Sequence, residues 1–221
     1  MDLVFYDFET TGKEPHWDQI LQVGATKVSK EFNEIDTFEF RSRLKPGLIP
    51  SPFALAVNNT DYAKLIKTEC SHYEMLRKIE DKFTKWSPSI FIGYNSINFD
   101  EEFLRNSLFR ALLDPYLTSR NNNNRADLLE LLRTVDFFFP DTINIPVNKK
   151  NKKTFKLDQI APANSITHFA HDALGDVIAT KQLAQLISQR KPTFWQSFLE
   201  GSNRSLVYKL LSEEKMVFLC Q

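Results

Sequence analysis

The apolar run Leu3-Val4-Phe5-Tyr6 gives way to an alternation of acid and ring at Asp7-Phe8-Glu9, and Gly12 and Pro15 punctuate the connection after it. Such a run predicts a buried strand that ends in a polar connection. Residues 19–28 predict a second strand, and an alternating stretch containing Phe38, Phe40 and Leu44 predicts a third. Pro46, Gly47, Pro50 and Pro52 mark the loop after it. From Ser71 the period changes. Leu76, Ile79, Phe83 and Trp86 recur at helical spacing, and Ser71 with Glu74 forms a capping-box signature. Ile90-Phe91-Ile92-Gly93-Tyr94 predicts a short buried strand, and residues 100–113 and 125–136 predict helices separated by a polar turn at 121–124. Residues 171–189 predict the last amphipathic helix, with Leu174, Val177, Ile178, Leu183 and Ile187 as its buried stripe. A strand-rich start followed by alternating helices and strands is an α/β pattern, with a mixed β-sheet flanked by helices.

Composition narrows the class without changing it. A chain of 221 residues with 42% hydrophobic content and 19 phenylalanines can bury a sizeable core, and one domain is the default at this length. Lys plus Arg balances Asp plus Glu at 28 each, so no global positive field steers nucleic acid, and any polyanion binding is local or metal-assisted. Cys70 and Cys220 are too few and too far apart for a disulfide framework or a zinc site, which fits a reducing compartment. No basic, apolar leader or long apolar span is present, so the expectation is a cytoplasmic protein with no membrane partner.

The chemistry is carried by acids. Residues i and i+2 of a strand share a face, so Asp7 and Glu9 aim two carboxylates at one point. Unscreened by a cation, they would repel by about 3 kcal/mol at roughly 5 Å and an effective dielectric near 20. Hard divalent ions such as Mg2+ or Mn2+ take oxygen ligands of this kind. Alone the spacing is weak, since Glu34 with Asp36 and Asp100 with Glu102 repeat it. Asp100 stands where a polar segment meets a helix and taken alone reads as a plain N-cap. His171 and Asp176 are about 140° apart on a continuous helix, so they converge only if His171 precedes the first turn, as an N-cap at Asp172 would arrange. A lone His there reads as structural, although imidazole is the side chain suited to proton transfer near neutral pH. Lys149, Lys150, Lys152, Lys153 and Lys156 crowd one segment; a solvated, mobile loop is the favoured reading, and phosphate contact the alternative.

Taken together, these elements resemble the DEDDh 3′-5′ exonuclease superfamily, and within it the N-terminal exonuclease domain of bacterial exonuclease I. The resemblance rests on Phe5-Tyr6-Asp7-Phe8-Glu9-Thr10-Thr11-Gly12, Gly93-Tyr94-Asn95-Ser96-Ile97-Asn98-Phe99-Asp100, Arg125-Ala126-Asp127-Leu128-Leu129, Phe155-Lys156-Leu157 and His171-Asp172-Ala173-Leu174-Gly175-Asp176-Val177. It implies a ribonuclease-H-like fold that removes 5′-mononucleotides from the 3′ end of single-stranded DNA. It also implies that Asp7, Glu9, Asp100 and Asp176 ligate two Mg2+ ions, with Mn2+ as a substitute, and that His171 is the general base. Phe8, Thr10, Thr11, Asn95 and Phe99 are implied substrate-binding residues, though Phe8 reads equally well as core. Asp127 is expected to act as a cap or to brace the site rather than to ligate.

Two departures stand out. Where such enzymes carry a Gly-containing turn that grips the last base, this chain reads Val57-Asn58-Asn59-Thr60; Asn tolerates left-handed geometry, so the turn is compatible. Exonuclease I proteins also continue past the segment around Val217 into a small β-barrel and a helical region. The expectation is an exonuclease domain over 1–190 and an extension over 191–221 that resembles the linker towards a second domain absent here. Two other functions use the same residues: trimming of short RNA from the 3′ end, or a catalytically silent nucleic-acid-binding module.

Overall fold

Strand β1 (Asp2–Thr10) lies at the centre of a five-stranded sheet. It pairs antiparallel with β2 (Ile20–Val28), which pairs antiparallel with β3 (Glu34–Arg41). On its other edge it runs parallel to β4 (Ser89–Gly93), and β4 runs parallel to β5 (Asn124–Asp127), giving the order β3-β2-β1-β4-β5. The helices are α1 (Pro52–Val57), α2 (Tyr62–Leu65), α3 (His72–Trp86), α4 (Asp100–Arg110), α5 (Leu128–Phe138), α6 (Leu157–Ala163), α7 (Ala173–Arg190), α8 (Pro192–Gly201) and α9 (Arg204–Glu213). The structure, a computed structural model, describes residues 1–58, 60–167 and 172–213. His171 and Asn59 therefore lie outside the described residues, as do residues 214–221.

The pleat of β1 separates two cores. Val4, Tyr6 and Phe8 face α3 and α4, where they meet Met75, Ile79 and Phe83. Leu3 and Phe5 face the other way, into a cluster with Leu132 of α5 and Val177 and Leu183 of α7. Asp7 and Glu9 continue this second face, so the alternation that buries Leu3 and Phe5 also points both acids towards α7. Helix α8 is continuous with the same core through Trp195 and Leu199.

Gly24 brings α7 onto the sheet. It pairs with Asp7 across the β1–β2 ladder, and a Cβ there would lie 2.6 Å from backbone atoms of Ala173 and Leu174. Only glycine lets the first turn of α7 approach this closely, and that approach carries Asp176 to Asp7.

Several elements differ from the sequence-based expectation. The third strand ends at Arg41, leaving Leu44 outside it, where it packs with Leu21 and Leu65. Residues 125–127 belong to a strand, not a helix: Asn124–Asp127 pairs with β4, and α5 begins at Leu128. A four-residue strand carries no readable period, and only its non-local partner defines it. Helix α4 stops at Arg110, short of the expected 113, and Leu112 then adopts a left-handed φ of 57°. The capping box at Ser71 and Glu74 is present. Asp172 does cap α7, accepting from the Gly175 N–H at 3.2 Å.

Candidate active site

The acidic cluster forms at the C-terminal end of β1. Carboxylate oxygens of Asp7, Glu9 and Asp176 lie within 4.8 Å of one another. Pairing of β1 with β4 covers only Asp2–Phe5, so beyond Phe5 the strand edge leaves the sheet. The Phe8 N–H on this stretch donates to Asp100 Oδ1 at 3.0 Å. That bond, rather than a capping role, fixes Asp100: the N-cap of α4 is Phe99, and Asp100 is its first residue. Four acids from β1, α4 and α7 thus meet at the strand ends, where open α/β sheets place their crevices.

Electrostatics follow from burial among like charges. Burial, then Asp100, Asp176, Glu9 and Asp172, pushes the Asp7 carboxyl well above its ordinary range. Glu9 is raised to about 8, first by burial and then by Asp176 and Asp172, with Arg41 opposing. Burial also raises Asp100, against the Phe8 N–H and its own backbone N–H. A cation would restore the ionised forms, and a donor set made only of carboxylate oxygens is the chemistry of a hard divalent metal.

The cluster opens into a cleft of about 620 Å³ that Phe8, Thr10, Asn95 and Phe99 help to line. Phe8 is only 3% exposed and packs in the α3–α4 core, and it also lines this cleft. Thr10 Oγ1 donates to the Gly12 carbonyl at 2.6 Å. Thr11 differs from the expectation of substrate contact. Fully buried, it is not among the residues lining this cleft, and its hydroxyl donates to Asp18 and accepts from the Gln19 N–H. Asn58, in the departing turn, is not left-handed (φ −79°), and its amide donates to the Thr10 carbonyl at 3.2 Å.

Supporting residues make the geometry rigid. Asp127 accepts from the N–H groups of Asn95, Ile97 and Leu129, so it both caps α5 and holds the loop before Asp100. Asn95 takes a left-handed φ of 60° there. Asp172 Oδ1 accepts from Gln22 and Arg41, anchoring the start of α7 to β2 and β3. Nothing in the sequence around Arg41 singles it out; for Gln22 the available signal is a lone amide inside the apolar run Ile20-Leu21-Gln22-Val23. Glu101 is a further buried acid, bonded to Tyr6, Thr118 and Arg125. Its signal is the unbroken acidic run Asp100-Glu101-Glu102 opening a helix.

Comparison with known proteins agrees with this geometry. Residues 4–184 match the family model RNase_T, described as Exonuclease. Exodeoxyribonuclease I of Buchnera aphidicola subsp. Schizaphis graminum is 34% identical over 218 residues, covering 97% of this chain and 45% of the relative. The Escherichia coli K12 exodeoxyribonuclease I is 31% identical over 216 residues, covering 96% and 45% respectively. The crystal structure of E. coli exonuclease I in complex with a dA16 oligonucleotide matches with a TM-score of 0.88 at 30% identity, over 95% of this chain and 45% of that one. The chain spans about half the length of the curated relatives it matches, 45% in each case. Its mixed sheet flanked by helices is the ribonuclease-H-like exonuclease fold. With a family match that runs from β1 into α7 and takes in all four clustered acids, the chain belongs to the RNase_T exonuclease family.

Proposed function

We propose that this chain is a metal-dependent exonuclease that removes 5′-mononucleotides from the free 3′ end of single-stranded DNA. The observation that carries the reading is the convergence of Asp7, Glu9 and Asp176 within 4.8 Å, with Asp100 fixed beside them by the Phe8 N–H. In this reading the four acids hold two Mg2+ ions, for which Mn2+ can substitute. Bound there, divalent ions supply charge neutralisation of the phosphodiester and acidify a water molecule.

The chain's own groups supply position and proton transfer. Burial raises the carboxyls of Asp7, Glu9 and Asp100 and so favours their protonated forms, and a divalent ion held by these acids would bind with release of protons. His171, on the strength of the family resemblance, takes the proton of the attacking water on an imidazole nitrogen. Phe8, Thr10, Asn95 and Phe99 receive the terminal nucleotide in the cleft, while Thr11 acts through the loop that it braces. In this reading residues 1–190 are the exonuclease domain and 191–221 follow it, with α8 packed into the same core through Trp195 and Leu199. Among the described residues no helix is long and apolar enough to cross a membrane.

The test uses single-stranded DNA and RNA oligonucleotides labelled at the 5′ end, with and without Mg2+. Metal-dependent shortening of DNA from the 3′ end with release of 5′-mononucleotides is the expected result. Shortening from the other end, or none, overturns the reading, and faster loss from RNA reassigns the substrate.

A further inference from the structure

The lysine-rich segment ahead of α6 is built rather than loose. Val147 and Lys153 form an antiparallel bridge; the Asn148 N–H donates to the Lys152 carbonyl at 2.8 Å, and the Thr154 N–H to the Pro146 carbonyl at 2.9 Å. Asn148 Oδ1 accepts from the N–H groups of Lys150 and Lys152, and Asn151 turns the chain with a φ of 55°. The segment is therefore a tight hairpin, which fixes where its lysines branch from the backbone.

The hairpin stands beside the acidic cleft. A second cleft of about 910 Å³, walled by Asn148, Lys153, Lys156 and Arg133, shares Phe53, Tyr94, Asn95 and Asp176 with the first. The Tyr94 hydroxyl donates to the Phe155 carbonyl, tying the hairpin's exit to the loop before Asp100. Two of the cations are already matched: Lys153 pairs with Asp136 at 2.7 Å and Arg133 with Glu130 at 2.6 Å. Among the described residues, Lys149, Lys150, Lys152 and Lys156 have no ion pair, and Asp158 is the acid that stands with Asp176 on that wall. In a chain of net charge zero, this is a local excess that a polyanion would balance. Phe53, 67% exposed on the shared rim, adds a ring face of the kind on which bases stack.

We propose that hairpin 146–154, with Lys156, grips the phosphates of the DNA strand on the 5′ side of the bond being cut. This rests on the exonuclease reading and adds the path of the strand to it. Phosphate contacts are read by salt, each contributing about −0.7 to the slope of log affinity against log salt for a single strand.

The test compares the full chain with K149Q/K150Q/K152Q and K149R/K150R/K152R. Binding of a fluorescent 12-nucleotide oligo(dT) is followed by anisotropy in EDTA between 50 and 200 mM salt. The glutamine variant should have a slope shallower by about 2, so that its affinity falls roughly 18-fold less than wild type across that range, while the arginine variant keeps the wild-type slope. Equal slopes for wild type and the glutamine variant overturn the proposal. So does a wild type that fails to bind the oligonucleotide, or an arginine variant that behaves like the glutamine one. Cleavage of the same oligonucleotide by the wild type in Mg2+ is measured separately. Normal 3′ shortening with equal slopes removes the hairpin's role and leaves the exonuclease reading standing.

Discussion

The Tyr6 hydroxyl donates to Glu101 Oε1 at 2.6 Å, joining the residue before Asp7 to the residue after Asp100. Glu101 also accepts from Thr118 Oγ1 at 2.8 Å and from Arg125 Nη1 at 3.1 Å, so a buried carboxylate links β1, α4 and β5 beneath the acidic cluster. Tyr6→Phe removes one bond to a buried charged group and should cost about 1–3 kcal/mol. At roughly 2–4 °C per kcal/mol for a chain of this size, differential scanning calorimetry resolves the loss. An unchanged melting temperature would show that Thr118 and Arg125 suffice to hold Glu101.

Stability without metal should fall as pH rises. Glu9 is raised to about 8 in the fold against an ordinary value of 4.5, and Asp7 and Asp100 are raised as well. Below about pH 4.5 both folded and unfolded chains carry the proton and nothing is lost. Between there and about pH 8 the unfolded chain ionises first, so folding becomes less favourable with each step in pH. Melting temperatures in EDTA should therefore decline from about pH 5 to 8, and saturating Mg2+ should flatten the decline. A flat profile in EDTA would mean that the cluster is not strained by its own charge.

Metal binding should stabilise the native state. For about 10 mM Mg2+ and a dissociation constant near 1 mM, the gain is about 1.4 kcal/mol, or roughly 3–6 °C. Asp7→Asn with Asp176→Asn should raise the metal-free melting temperature by relieving repulsion and should abolish the shift. A double variant that responds to Mg2+ like the wild type would rule out these acids as the metal site.

His171→Ala separates proton transfer from binding. If the imidazole is the general base, the variant keeps its Mg2+-induced stabilisation and its DNA affinity while single-turnover cleavage slows about 100- to 10,000-fold. Cleavage at the wild-type rate would return His171 to a structural role.

His72 should shape the acid side of the stability curve. Burial, then Lys45 and Arg110, lowers its imidazole from 6.5 to about 3, and among the described residues its Nε2 has no hydrogen-bond partner. It stays neutral in the fold, while the unfolded chain gains a proton below about pH 6.5, so its contribution is lost as pH falls from there towards 3. In urea titrations, the stability of His72→Leu relative to the wild type should rise as pH falls from about 6.5 to 4, on top of the opposing trend that both proteins share from the acidic cluster. A difference between the two that stays constant with pH would place the acid sensitivity elsewhere.

What the sequence by itself determined was the part of this protein written in short range. The period of two in β1 sets which residues are core and puts Asp7 and Glu9 on one face, and the box at Ser71 and Glu74 starts α3. The family resemblance names the distant members of the site, Asp100 and Asp176, but local pattern alone makes Asp100 a cap. Tertiary structure decided the rest, because each remaining feature depends on a partner far along the chain. Pairing with β4 makes a strand of Asn124–Asp127; the end of the separate β1–β4 pairing at Phe5 leaves the Phe8 N–H for Asp100; and the missing Cβ of Gly24 lets α7 approach near enough to bring Asp176 to Asp7. The lysines behave alike: their charge is plain in the sequence, but the bonds through Asn148 that shape their hairpin, of which Asn148 and Lys153 line the second cleft, exist only once the hairpin closes. Periodicity reports how a residue relates to its neighbours along the chain, whereas convergence depends on backbone pairing and close packing across it.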